Sequence, residues 1–477
     1  MRMSGNMVSP ARKVPAAAMA TKENGAKTVL PRVVSPIRVD YSDLVSNGDD
    51  NGVDLSALIE AAFGRDGLGL IVIDHVPSVE ARRKALLPLA KRFALLPADI
   101  KAKYEHPGSF YSFGWSHGKE KLQGGVPDVA KGSFYNNPTA NAPFAHDPEK
   151  VELYPSFCHP NIWPKEEMPE LEPAFMQLGS QIVDTGKLLA RHVDKYVRSK
   201  LGSECDDEIR LFDVLQTSRV TKARLLHYFS TSNQRHATAQ VCGNEMKPPA
   251  AKRQRTPSFS RQRSSSDVRD DTIENWCGWH NDHGSLTGLV PGMFIDQEGR
   301  NVREHIASMM STGNITEEAQ DFALCVADHL KRAGLYIASR KGEVIKVDLG
   351  DKPQNSMLFQ IGETAQIHSG GILQATPHSV RGIKLDASNP LKKEIAQYLL
   401  GISRESFAVF MEPEFDAAMR APTGVEKDNV QSAAAVAKLP SGCPPLLARI
   451  GTKECPFTTC DFGTFSTITY KKFLNAV

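Results

Sequence analysis

Apolar residues return at three- and four-residue steps over some stretches of the chain and at alternate positions over shorter ones. Between Asp54 and Phe63, the residues Leu55, Leu58, Ile59, Ala62 and Phe63 share one helical face, and Gly64 supplies the stop. Gly69 to Val76 is a β-branched run closed by Pro77, and Val79 to Leu96 returns to helical spacing. From Glu166 to Lys200, Leu171, Phe175, Leu178, Ile182, Leu189, Val193 and Tyr196 recur at those steps or their sums, predicting a long core-facing helix interrupted near Gly186.

Beyond this helix the rhythm becomes that of strands: Arg224 to Phe229, Thr287 to Ile295, Leu335 to Ile337, Val344 to Val347, Ser356 to Ile361 and Phe407 to Phe410. Short strands with turn residues between them predict a β-sandwich or barrel. Thr316 to Ala333 interrupts them as a helix, with Thr316 as cap, Glu317 and Glu318 in the first turn, and Phe322, Val326 and Leu330 on one face. The expected organisation is a disordered tail at 1–36, a mixed α/β region at 37–200 and a core domain at 201–420. A disordered basic, serine-rich insert at 231–273 and an inserted helix at about 315–333 interrupt the core, and a C-terminal segment at 421–477 packs on it.

With 477 residues, 41% of them hydrophobic, the chain can bury a large core. Its 57 basic and 55 acidic residues leave a formal charge of +2, too little for a global field that would mark a nucleic-acid or membrane-surface binder. Positive charge concentrates instead in Met246 to Ser266, where Lys247, Lys252, Arg253, Arg255, Arg261 and Arg263 stand among serines without an acid. That loop reads either as unselected disorder or as a site for an import or regulatory factor. The eight cysteines form no CxxC and no disulfide framework, which points to a reducing compartment. No apolar run approaches the ~20 residues that span a bilayer. The expectation is a cytoplasmic monomer, with nuclear or organellar targeting as the alternative because residues 1–36 carry a single acid, Glu23.

The densest chemical signal is Trp279-His280-Asn281-Asp282-His283-Gly284. On a strand, side chains two apart point the same way, so His280 and Asp282 converge on one ion while Asn281 and His283 face away. His378, in Gln374-Ala375-Thr376-Pro377-His378, is the best third ligand. Two histidines and one carboxylate on one face leave positions open, the arrangement used by non-haem iron(II) oxygenases. Taken alone an HxD is weak, but Arg404 and Ser406 also lie two apart, and a guanidinium with a hydroxyl holds a carboxylate in fixed geometry. Arg381, three residues past His378, competes for that role. His227 and His368 read as buried structural groups, and Trp276 and Trp279 as packing residues or walls of a pocket.

The order HxD, distant His, then RxS resembles the isopenicillin-N-synthase-like branch of the Fe(II)- and 2-oxoglutarate-dependent dioxygenases. WHNDHGSLTGL is similar to that family's HxDxGxLTLL, GLYIASRKGEVIKVDL to its GLQV…GEWIxVxP hairpin, and SMLFQIGETAQIHSGG to the segment ending in IGDxLQxxSNG. GLIVIDHV, FALLPADIKAKY and SFGW resemble its amino-terminal region. The departures are the Thr316 to Ala333 helix and a longer interval from His378 to Arg404.

The resemblance implies an α+β fold, a double-stranded β-helix (jelly-roll, cupin-like) core flanked by helices, with a helical and mixed N-terminal region. It implies Fe(II), 2-oxoglutarate as co-substrate and O2, with His280, Asp282 and His378 on iron, Arg404 and Ser406 on the far carboxylate, and Tyr228 near it. Leu226 stands where the family often has an asparagine. The implied reaction is oxidation of a small organic molecule with decarboxylation of 2-oxoglutarate to succinate, the iron centre doing the chemistry with no separate acid or base. An oxidase of the same fold without 2-oxoglutarate, or a non-catalytic binding protein on it, are the alternatives. Ligation needs neutral imidazoles, so protons compete with the metal as pH falls.

Overall fold

The structure, a computed structural model, describes residues 31–46, 53–120, 127–202, 208–231, 275–311, 315–350, 353–385, 391–425, 427–430, 439–440 and 442–475. Almost all of the expected N-terminal tail and of the basic, serine-rich insert lies outside them. Residues Arg32 to Val477 form one compact unit.

The strands are β1 (Arg32–Val34), β2 (Ile37–Asp40), β3 (Leu70–Asp74), β4 (Gly114–His117), β5 (Lys131–Asn136), β6 (Lys222–Tyr228), β7 (Asn275–His280), β8 (Leu286–Leu289), β9 (Met293–Ile295), β10 (Gly334–Ala338), β11 (Val344–Val347), β12 (Met357–Ile361), β13 (His378–Arg381) and β14 (Ser403–Met411). They make a five-stranded sheet in the order β1-β11-β10-β13-β7 and a nine-stranded sheet in the order β2-β3-β12-β8-β14-β6-β5-β4, with β9 paired to β14. The principal helices are α1 (Ser56–Phe63), α2 (Val79–Ala94), α3 (Leu171–Leu201), α4 (Val302–Ser311), α5 (Glu317–Arg332), α6 (Glu363–His368), α7 (Lys393–Leu400) and α8 (Phe462–Asn475).

Alternation along the strands sorts the nine-stranded sheet into two faces. Phe359, Phe407, Val409 and Met411 meet Phe175, Leu178 and Ile182 of α3 in the largest apolar cluster, which is the outer face. Leu70, Val72 and Leu358 meet Ile337 and Val347 of the other sheet, which defines the space between the sheets. Arg404, Ser406 and Ala408 alternate with the outward Phe407 and Val409 and therefore face that space, as do Arg224, Leu226 and Tyr228, which alternate with the outward Ala223 and Leu225. Helix and sheet approach closely because β8 carries Gly288: a Cβ there would stand 2.2 Å from Ile182 Cγ2.

Several expectations need correction. The tail expected to be disordered through residue 36 contributes β1, which pairs in parallel with β11. Helix α3 runs unbroken through Gly186, and that glycine serves close packing, since a Cβ there would lie 2.7 Å from Met411 Sδ. The strand expected from Thr287 to Ile295 is two, β8 and β9, separated at Pro291 and Gly292. The insertion among the strands holds two helices, α4 and α5, of which only α5 is foreseen; Thr316 caps it by accepting from the Ala319 N–H at 3.3 Å. Cys455 and Cys460 form a disulfide, against the expectation of none. Their segment turns back on itself and brings the two Cα atoms to 4.7 Å, a closeness that a five-residue separation does not reveal.

Candidate metal and co-substrate site

The antiparallel pairing of β7 with β13 sets His280 directly opposite His378. The strand ends there, so Asp282 lies in the following loop instead of continuing β7 as the strand argument requires. The loop is held from outside: Glu363 N–H donates to the Asp282 carbonyl at 2.8 Å, and the Gly362 and Thr364 N–H groups donate to the Ser285 and Gly284 carbonyls, each at 3.1 Å. Convergence is achieved by backbone hydrogen bonding to α6, not by strand periodicity.

The result is compact. Asp282 Oδ1 lies 3.8 Å from Nε2 of His280 and 3.8 Å from Nε2 of His378, and the three ligand atoms fall within 4.8 Å of one another. Each imidazole donates Nδ1–H to a backbone carbonyl two residues earlier, His280 to Gly278 at 2.9 Å and His378 to Thr376 at 3.3 Å. A carbonyl only accepts, so these bonds place the proton on Nδ1 and leave the Nε2 lone pair turned to the shared centre. Asp282 Oδ2 is buried without a hydrogen-bond partner. Among the described residues this is the one His/Cys/Asp/Glu cluster with metal-ligating geometry.

The negative groups around this point favour a positive charge, and burial opposes it. Burial pulls His378 down to about 4, helped by the charge of His280. Burial also opposes charge on His280, yet Cys277 and Asp282 raise it to about 9; Cys277 Sγ lies 3.8 Å from His280 Nδ1. Asp282 is held below the usual carboxylate range: burial acts the other way but is outweighed by His378 and His280. A dication satisfies the same preference, and the His–His–carboxylate donor set suits Fe(II).

Arg404 is level with Tyr228 and Ser406 with Leu226 across the β14–β6 pairing. The Arg404 guanidinium rests over the Tyr228 ring, 5.3 Å from its centroid, and burial lowers its pKa. Gly292 makes room for it, since a Cβ at that position would lie 2.7 Å from Nε and 2.8 Å from Cζ. Tyr228 stacks in turn on Trp276 of β7, with centroids 5.5 Å apart. Arg381 lies against other rings, 4.4 Å from the Tyr336 centroid and 5.9 Å from that of Trp279. Leu226 joins Tyr228, Trp276 and Phe294 in a buried apolar cluster, so the polar contact of an asparagine is replaced by packing.

The other histidines hold the frame. His227 pairs with Glu405 at 2.9 Å, and His368 donates to the Ala418 carbonyl at 3.0 Å. His283 meets Ser466 Oγ at 3.0 Å and stacks on Phe462, which ties the metal loop to α8. Sequence reasoning missed Cys277, although it sits three residues before His280. It also missed Glu363 and Arg449, whose doubly bonded ion pair receives Asn281 Nδ2–H at 3.0 Å on Glu363 Oε1. No local pattern joins residues so far apart in the chain.

Residues 38–166 match the family model described as non-haem dioxygenase in morphine synthesis, N-terminal. No curated protein matches the chain. A 2OG-Fe(II) oxygenase family protein from Caulobacter crescentus superposes with a TM-score of 0.50 at 16% identity, covering 85% of this chain and 92% of that one. A full-length Neurospora crassa protein in complex with alpha-KG and 5-formyluracil gives 0.46 at 15% identity over 84% and 91%. The rice dioxygenase for auxin oxidation gives 0.42 at 16% over 83% and 89%. The fold is that of the 2-oxoglutarate–iron(II) oxygenases, a double-stranded β-helix with helices packed on it. Its amino-terminal region carries the sequence pattern of the non-haem dioxygenases, in line with the isopenicillin-N-synthase-like resemblance.

Proposed function

We propose that the chain is an Fe(II)- and 2-oxoglutarate-dependent dioxygenase that oxidises a small organic molecule. The observation that carries this reading is the placement of His280 Nε2 and His378 Nε2 each 3.8 Å from Asp282 Oδ1, with both Nδ1 protons committed to carbonyls. Bound there, iron(II) with 2-oxoglutarate and O2 supplies the oxidising chemistry, and 2-oxoglutarate leaves as succinate and CO2.

The protein's own part is orientation and exclusion of water. Asp282 supplies a fixed negative charge, and the two Nδ1–H bonds hold the imidazoles in the ligating tautomer. Arg404 and Ser406 share one strand face directed into the barrel and fit the distal carboxylate of the co-substrate, with Tyr228 beneath the guanidinium. Tyr228, Trp276 and Phe294 keep that end dry. In this assignment residues 37–200 form the mixed N-terminal region and 201–420 the β-helix domain. Residues 421–477 form a segment that braces the metal loop through Arg449 and Ser466. No helix among the described residues is long and apolar enough to cross a membrane.

The test is anaerobic titration with Fe(II) and 2-oxoglutarate, following the weak visible metal-to-ligand charge-transfer band in wild type and in Arg404→Ala. A band in wild type that weakens at least tenfold in apparent 2-oxoglutarate affinity in the variant supports the reading. Iron binding without a band favours an oxidase, and no iron binding removes the enzymatic reading.

A further inference from the structure

Two cations stand on the inner face of the barrel beyond Arg404. Pairing of β5 with β6 sets Lys131 level with Tyr228, Ser133 with Leu226 and Tyr135 with Arg224. Phe134 belongs to the outer cluster, so Lys131, Ser133 and Tyr135 face inward by strand alternation. Arg224 shares its strand face with Tyr228, and Lys131 stands level with that tyrosine, so both cations belong to the barrel interior.

Their counter-charge comes from outside the sheet. Glu120, just past β4, accepts from Arg224 Nη2 at 2.7 Å, from Lys131 Nζ at 2.9 Å and from Tyr135 Oη at 3.2 Å. Arg224 also donates to Ser133 Oγ at 2.9 and 2.8 Å, and Lys131 is paired a second time with Asp128. Exposure separates the partners: the Lys131 and Arg224 side chains are 7% and 14% exposed, and that of Glu120 is 44% exposed. Sheet residues hold the cations in place, whereas the carboxylate reaches them from the rim.

We propose that the substrate is an acid, and that Arg224 with Lys131 beside it holds its carboxylate in the place Glu120 takes in this structure. The proposal rests on the oxygenase reading above and names its substrate class. A buried cation stripped of its partner is strongly destabilised, so Glu120 leaves only when another anion takes its place. A neutral molecule makes no such exchange. Lys131 keeps Asp128 through the exchange, which makes Arg224 the principal anchor. Its planar fork suits a carboxylate in two-point contact, and Tyr135, whose ring lies 5.0 Å below the guanidinium, fixes the plane of that fork.

The experiment uses the full chain loaded anaerobically with Fe(II) and 2-oxoglutarate. A panel of straight-chain fatty acids, benzoate and phenylacetate is tested, each against its primary amide, by perturbation of the charge-transfer band. Acids from the panel are expected to perturb the band at least tenfold more tightly than their amides. Glu120→Gln should tighten acid binding several-fold by weakening the internal competitor. Arg224→Gln should weaken it at least tenfold, and Arg224→Lys should recover part of the loss, which separates a lost charge from a damaged fold. The proposal is overturned if amides perturb the band as well as acids, if no acid does so, or if Glu120→Gln leaves acid affinity unchanged. Absence of the band in wild type is a different failure, that of the oxygenase reading itself.

Discussion

Arg449 and Glu363 form a doubly hydrogen-bonded ion pair with both side chains only 1% exposed, and Glu363 passes the contact on to Asn281 between two of the proposed iron ligands. Removing one partner leaves a buried charge uncompensated, which typically costs about 3–5 kcal/mol. Arg449→Met is therefore expected to lower stability by that order in chemical denaturation. Adding Glu363→Leu should recover much of the loss; a double variant no better than Arg449→Met would show that the cost is packing and not charge.

Gly292→Ala is a test of the proposed co-substrate site that replaces no polar side chain. The added methyl has to enter space within 2.7 Å of Arg404 Nε, so the guanidinium must shift. Apparent affinity for 2-oxoglutarate should fall at least tenfold, by the tolerance of such clamps to displacement. Fe(II) affinity, measured in the absence of 2-oxoglutarate, should stay within about twofold, since Arg404 pairs with Tyr228 on β6 and not with the strands that carry the histidines.

Asp282→Asn keeps the shape of the ligand and removes its charge. Substitution of groups that merely support metal ligands costs about 10–100-fold in affinity, so loss of a ligand's own charge should cost more than about 100-fold. Titration with Co(II), read by its visible absorption, measures this without turnover. Retention of wild-type affinity would dismiss Asp282 as a ligand.

Burial pushes His368 down to about 4, even though its bond to the Ala418 carbonyl favours the charged form. In the unfolded chain it titrates near 6.5, so between these values the unfolded state binds the extra proton. The stability it contributes is fully present above about pH 6.5 and is lost as pH falls toward 4, on the order of 3 kcal/mol over the window. His368→Gln keeps an N–H donor and cannot titrate there. Its stability-versus-pH curve should be flatter than wild type by that amount across pH 4–6.5, measured by urea unfolding.

The sequence by itself determined the elements whose pattern is local. The apolar spacing of α3, the β-branched core of β3, the Thr316 cap and the candidate ligands His280, Asp282 and His378 are all readable because periodicity and residue chemistry act over a few positions. Arg224 entered the sequence reading only as the start of a strand, because its meaning depends on Glu120, more than a hundred positions away. Tertiary structure alone decided that β7 ends at His280 and that α6 holds Asp282 in place. It also decided that α3 continues through Gly186 and that Arg449 closes over the loop that carries Asp282. The physical reason is that backbone bonds, buried charge pairs and close approaches form between segments whose neighbourhood is set by sheet register and helix packing. Those relations carry no periodic trace along the chain.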